Sequence, residues 1–305
     1  MTMKYGKIAG VDREVSRITL GTSGMRTYEK AAPLLEHFFG QGGNLLDTAF
    51  AYGGGVCEEV LGTWLARNTP DEPPVIIAKG AHPPKCAPET ITEELSISLE
   101  RLGVQCVDVY LLHRDDEQVP VGEWVDALEA EVRAGRIGAY GGSNWRRARV
   151  EEATAYARST GGQGFAAVSN HFALAEMAEP LYPGCIAADE DDLAWFARND
   201  VALIPWSSQA RGFFSSVDPG LLDPNMVRCW DTPANRGRRE RAQRLAARLG
   251  VETINVALAY VLAHPAAFPI IGPRDPAEAA IALGALNIEL DAAALAELNG
   301  DGRLG

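Results

Sequence analysis

Lysine is scarce in this chain. Of its 28 basic residues only five are lysines (Lys4, Lys7, Lys30, Lys79 and Lys85), and the other 23 are arginines. Ordinary surface positive charge is therefore supplied by arginine. A lysine that closes the apolar run VIIAKG (75–80) needs its own explanation. Other shortages exclude whole classes of function. The five cysteines (57, 86, 106, 185, 229) are odd in number, widely spaced and without a CxxC pair. That argues against a disulfide framework or a zinc site and for a cytoplasmic protein. The five histidines (37, 82, 113, 171, 264) lack metal-ligand spacing, so no metal is expected. Basic residues do not cluster beyond GRRER (237–241), which reads as the solvated start of a helix. With a net charge of −13, nucleic-acid and acidic-membrane partners are disfavoured. No stretch approaches the ~20 apolar residues of a membrane span, and MTMKYGKIAG at the N-terminus has no apolar signal core.

What is present is a repeating pattern. Short β-type runs alternate with helical segments throughout: SRITLG (16–21), NLLD (44–47), VIIAKG (75–80), VDVYLLH (107–113), IGAYGGS (137–143), FAAVSN (165–170), ALIPW (202–206) and FPIIG (268–272). Most are continuous apolar runs, the sign of strands covered on both faces. Between them lie helices such as TITEELSISLERLG (90–103). There Thr90 and Glu93 spell a capping box, Leu95, Leu99 and Leu102 line one face, and Gly103 supplies the stop. RERAQRLAARLG (239–250) ends the same way, with Ala242, Leu245, Ala246 and Leu249 as its apolar set. Eight β/α units over residues 1–305, without a linker, predict one closed (β/α)₈ TIM barrel. An open doubly wound sheet is the alternative, but LGTSGM (20–25) has the wrong spacing for a GxGxxG phosphate loop. About 30 residues after Trp206 read as a long structureless connection, which in a barrel lies on the active-site face.

Strand-end polar residues become neighbours in a barrel. Asp47, Lys79 and His113 end consecutive runs, and Tyr52 follows Asp47 by five residues. Each alone has an ordinary structural explanation; four in register on adjacent strands point to a site. Carbonyl reduction needs a hydride on carbon and a proton on oxygen. Tyr52 is the expected proton donor, made a better acid by the Lys79 ammonium. Asp47 holds Lys79, and His113 positions the carbonyl. A Schiff-base aldolase with Lys79 as nucleophile is a second reading, and a low-turnover cofactor-sensing protein a third.

The segments NLLDTAFAYGGGVCEEVLGTWL (44–65), VIIAKG, VDVYLLHRDD (107–116) and GRIGAYGGSNW (135–145) resemble the aldo-keto reductase superfamily, in order and over nearly the full chain. The resemblance implies a (β/α)₈ barrel in which Asp47, Tyr52, Lys79 and His113 are the catalytic tetrad. It implies an NAD(P)H cofactor bound without a Rossmann domain. Ser143 and Asn144 match the pair that holds the nicotinamide carboxamide, Trp206 stands where an aromatic stacks on the nicotinamide, and Gly21 and Thr22 match a backbone turn beside it. Ser207, Gln209, Arg211 and Gly212 fall in the loop that grips the pyrophosphate. Two regions depart from the family pattern. Ser169 replaces a glutamine on the sixth strand. Gly272, Pro273 and Glu278 stand where a Lys-Ser pair and an Arg clasp the 2′-phosphate of NADPH. Glu278 would repel that phosphate and Arg274 would attract it. Family habit leans to NADPH, with NADH or dual use open. Met25, Tyr52, His113, Trp145 and Trp230 are expected to wall the substrate pocket, for a small aldehyde or ketone, sugars included.

Overall fold

The computed structural model describes residues 2–68, 72–215 and 223–300. A short antiparallel hairpin of β1 (Tyr5–Gly6) and β2 (Val15–Ser16) precedes the main sheet. Eight parallel strands follow: β3 (Thr19–Gly21), β4 (Leu45–Asp47), β5 (Val75–Gly80), β6 (Val107–Leu112), β7 (Ile137–Ser143), β8 (Ala167–Ser169), β9 (Ala202–Leu203) and β10 (Ile270–Ile271). They lie side by side in the order β10-β3-β4-β5-β6-β7-β8-β9. The two ends of that order meet. Leu203 N donates to Ala266 O at 2.8 Å, Phe268 N to Leu203 O at 2.7 Å, and Ile270 N to Pro205 O at 3.0 Å. These bonds close the sheet into the expected (β/α)₈ barrel.

Side-chain alternation decides what faces inward. Leu45, Val75, Ile77, Val109, Leu111, Ala139, Ala167, Ala202 and Ile204 form the inner cluster, joined by Ile8 and Val15 from the hairpin. Their neighbours Leu46, Ile76, Ala78, Tyr110, Leu112, Tyr140, Val168 and Leu203 pack outward against the helices. Both faces are thus buried, which is why the strands read as unbroken apolar runs. Continuing the period of two along each strand brings Asp47, Lys79, His113, Ser143 and Ser169 onto the inward set. The strand register supports this. Asp47 pairs with Gly21 on one side and Ile77 on the other, and Lys79 lies two residues farther along the same face.

Three local expectations are corrected. Thr90 makes no capping box: a 3-10 turn, Pro88–Thr90, runs into the helix Ile91–Leu102, and the Thr90 hydroxyl donates back to Ala87 O at 2.8 Å. The Gly103 stop stands, in the left-handed conformation at φ 69°. The second helix begins earlier, with Thr232 as cap and Pro233 as first residue, and runs to Leu249. GRRER therefore lies inside it, and Leu249 is exposed rather than part of its buried face. The connection after Trp206 is not structureless: it holds a 3-10 turn, Ala210–Gly212, and a helix, Pro224–Trp230. Residues 216–222 of that stretch lie outside the described residues. The missed helix is short and signalled mainly by its cap, Asp223, whose side chain accepts from Asn225 N at 2.8 Å.

Candidate active site

Lys79 is 2% exposed, and its ammonium has an acceptor for each of its three protons. It donates to Asp47 Oδ1, to Thr48 O at 3.0 Å and to Tyr52 Oη at 3.3 Å. The Tyr52 hydroxyl is 3.5 Å from Asp47 Oδ2. The His113 ring meets the Tyr52 ring edge-on, centroids 5.7 Å apart. The structure therefore brings together all four residues singled out in the sequence, on three adjacent strands and the turn after β4. Gly80 makes this possible on β5, because a Cβ there would come within 2.0 Å of the Tyr110 hydroxyl. Just beyond it, Glu94 accepts from Ala81 N at 2.7 Å and pins the chain as it leaves the strand.

Electrostatics sort the four. Burial pulls the Lys79 ammonium down, but Asp47 and Tyr52 more than offset it, and its pKa lies above the usual lysine value. Burial pushes Asp47 up while Lys79 pulls it down. These two pressures oppose each other within one pair. A fully satisfied ammonium favours the ionised state. Burial also raises Tyr52, with Lys79 as the main opposing influence. Lys79 acts on Tyr52 in the expected direction, lowering it by charge and by hydrogen bond, and burial opposes it. Desolvation outweighs the ammonium, so Tyr52 holds its proton. His113 is driven well below 6.5 by burial and then by Lys79 and Arg114, and is neutral at pH 7. Its Nδ1 is buried without a partner. A buried lone pair costs less than a buried N–H, so the proton belongs on Nε2, the ring nitrogen open to the mouth.

A family model described as "Aldo/keto reductase family" matches residues 17–300. The chain belongs to the aldo/keto reductase family. An uncharacterized oxidoreductase of Bacillus subtilis is 27% identical over 97% of this chain and 95% of its own length. Versiconal hemiacetal acetate reductase of Aspergillus parasiticus is 26% identical over 88% of each. The glycerol dehydrogenase of Gluconobacter oxydans superposes with a TM-score of 0.81 at 20% identity, covering 98% of this chain and 95% of that one, which bears on the fold. This aldo/keto reductase is thus an oxidoreductase that reduces small carbonyl compounds with a nicotinamide dinucleotide.

The donor set around the reductase's mouth suits that cofactor. Trp206 is half-buried with an unpartnered indole N–H, and Thr22 has a buried hydroxyl without a partner. Thr22 N itself donates to Asp47 O at 2.9 Å. In the loop after Trp206, Ser207, Ala210, Arg211 and Gly212 all have positive φ, from 46° to 90°. The run is a tight turn in which Ala210 N donates to Ser207 O at 2.8 Å and Gly212 N to Gln209 O at 3.1 Å, so those two amides are used within the loop. Ser207, Gln209 and Gly212 are half-buried and Arg211 is exposed. Asn144, at φ 60°, accepts from Ile186 N at 3.1 Å and donates to Ser143 Oγ at 3.0 Å, which keeps one amide proton spare. Ser143 donates to Ser169 O at 3.0 Å, and Ser169 to Ile204 O at 2.8 Å. Ser169 therefore has only acceptor capacity left. Gly21 is packed against Ile270, and Gly272 has open space where a side chain would stand. Arg274 and Glu278 do not act apart: Arg274 Nε donates to Glu278 Oε1 at 2.7 Å and its backbone N to Oε2 at 2.8 Å.

Three of the residues expected to wall the pocket, Met25, Trp145 and Trp230, are buried. Trp145 is fully buried between Trp124 and Phe165, with Arg149 over its ring, so it belongs to the core. Trp145 is followed at once by helix-layer residues, and the strand period has ended at Ser143. Trp230 packs on His171, centroids 5.5 Å apart, and His171 packs on Trp206 at 5.0 Å. Sequence reasoning missed His171, Thr48 and His82. His82 sits edge-on to His113 at 4.7 Å. His82 is three residues beyond Lys79, the one signal that placed it near the site.

Proposed function

We propose that this reductase converts an aldehyde or ketone to an alcohol, reversibly, with Tyr52 as proton donor. The observation that carries it is the Lys79 ammonium, bonded at once to Asp47, Thr48 O and Tyr52 Oη. Reduced nicotinamide dinucleotide, when bound, supplies the hydride. Ser143, Asn144 and Trp206 would hold its nicotinamide end, and the 207–212 loop its pyrophosphate. Tyr52 donates its proton to the carbonyl oxygen as negative charge develops there. An alkoxide approaches hydroxide in basicity, water's own pKa being about 15.7, so a phenol of raised pKa remains a sufficient acid. The Lys79 proton directed at Tyr52 Oη stabilises the phenolate left behind. Asp47 fixes the ammonium, and His113 Nε2–H donates to the carbonyl oxygen. The Schiff-base alternative requires an unprotonated Lys79 with a free lone pair, and the raised pKa and three bonds argue against it.

Cofactor choice rests on the Arg274–Glu278 pair. A 2′-phosphate would have to draw Arg274 from Glu278, which sets an attraction against a lost ion pair. The reading is a modest preference for NADPH with NADH accepted. Titration with each cofactor, followed by tryptophan fluorescence, tests it. Quenching of Trp206 by both, somewhat tighter for NADPH, is the expected outcome; a folded protein that quenches with neither would end this reading of Trp206 and the 207–212 loop.

A further inference from the structure

Many of the arginines pair with a carboxylate. Arg101 pairs with Glu58, Arg136 with Glu131, Arg149 with Asp115, Arg236 with Asp231 and Arg248 with Glu297. Two arginines beside the catalytic residues have no carboxylate partner among the described residues. Arg26 lies in the loop after β3, is exposed, and forms no ion pair among the described residues. Its guanidinium rests on Gly53, the residue after Tyr52. A Cβ at Gly53 would stand 1.7 Å from Arg26 Nη1, so the absence of a side chain there is what makes room for the arginine. Arg114 follows His113. It donates from Nη1 to His113 O at 2.7 Å and from Nη2 to Cys185 Sγ at 3.8 Å, and no carboxylate pairs with it among the described residues. The acids nearest to it are engaged elsewhere. Asp115 takes a two-pronged bond from Arg149, at 2.9 Å on each oxygen, and Asp116 accepts from Gln118 N at 3.0 Å.

Beside Tyr52 and beside His113 the mouth thus carries a guanidinium group with no ion pair among the described residues, in addition to Arg211 of the 207–212 loop, on a chain of net charge −13. An anionic substrate approaching such a chain is repelled overall unless the entrance offsets it locally. Guanidinium is planar and forked, matched to carboxylate, and Arg114 is half-buried, where such a bond is screened less than at the surface. We infer that the mouth selects carbonyl compounds that also carry a carboxylate, recognised by Arg26 and Arg114. This rests on the reductase reading of the same site.

The test compares 4-formylbenzoate with its neutral methyl ester, two aldehydes that differ in little but charge. Expected is a kcat/KM about tenfold or more higher for the acid. The ratio should shrink toward unity in Arg26→Gln and in Arg114→Gln, and also on going from low salt to about 0.5 M, where the Debye length drops to a few ångströms. An ester reduced as well as the acid, or a ratio that neither substitution moves, would overturn the inference while leaving the reductase reading intact. Should neither aldehyde be reduced, binding of the two to the cofactor-saturated protein decides it separately. Tighter binding of the acid, lost in the two variants, supports the inference, and equal binding rejects it.

Discussion

Lys79 and Asp47 form an ion pair with both side chains 2% exposed, whereas Arg274 and Glu278 pair at 87% and 33% exposure. Both sit beside the proposed cofactor path. The first is enclosed by strands β4 and β5 and shares its protons with a carbonyl and a phenol. The second straddles the start of the helix Pro276–Leu283, in water. Burial makes a pair costly to build and costlier to break, because the survivor is left charged and unsolvated. Exposure makes a pair worth about 0–1 kcal/mol, so a ligand can take it apart. A reaction that must keep one proton on one oxygen needs the first kind. Discrimination between two cofactors that differ by one phosphate needs the second.

The largest expected effect is therefore at Lys79. Lys79→Met strands the Asp47 carboxylate and should cost about 3–5 kcal/mol of stability, read by urea unfolding, along with nearly all turnover. Adding Asp47→Asn to it should return part of the stability and none of the activity. Equal stability for wild type and Lys79→Met would mean that the pair is not ionised in the fold. Tyr52→Phe comes next. It should lower turnover by roughly 10²–10⁴-fold with cofactor binding nearly intact, since the ring and its contact with His113 remain. Carbonyl reduction at the wild-type rate in that variant would remove Tyr52 from the proton-donor role.

A smaller, pH-dependent effect comes from the buried histidines. His171 is 1% exposed, and burial pushes it down to about 3. In the unfolded chain its pKa is about 6.5. The unfolded state therefore takes up a proton as pH falls below that value and the native state does not. Stability is unaffected above about pH 6.5 and declines toward pH 3, by up to roughly 1.4 kcal/mol per pH unit for this one group. His113, also lowered, adds in the same direction. Unfolding curves for His171→Gln between pH 7 and 4 should show a flatter decline than wild type; identical slopes would mean that His171 is charged or accessible in the fold.

Much of this was readable from sequence because barrel strands impose a period of two and place every strand end on one rim. Asp47, Lys79 and His113 needed only that rule and an apolar run before each. The limits of strands β5 and β7 also matched their runs, because both are six or seven residues long and bounded by glycine or polar residues. Where chain leaves the strands, the rule lapses. Trp145 looked like a pocket wall because it follows Asn144, yet two residues past β7 the direction of a side chain is set by the helix layer, which took it into the core. His171 lies just past β8, where the strand rule likewise gives no direction. At Tyr52 sequence supplies the neighbouring charge of Lys79 but not the burial that opposes it.

The exposed pair offers the smallest effect and the sharpest contrast. Glu278→Gln removes the carboxylate that holds Arg274 through Nε and through the backbone N. The arginine then keeps its charge without a competitor. Its pKa, raised chiefly by the bond to Glu278, plays no part near pH 7 because it is ionised in either state. NADPH should therefore bind several-fold tighter than to wild type, while NADH, which lacks the 2′-phosphate, should change little. Because an exposed pair contributes so little, the variant should unfold at nearly the wild-type urea midpoint. An unaltered NADPH-to-NADH ratio would place the adenosine end of the cofactor away from this helix start. A parallel gain for both cofactors would mean that Arg274 meets the pyrophosphate instead, and that the discrimination lies elsewhere on the rim.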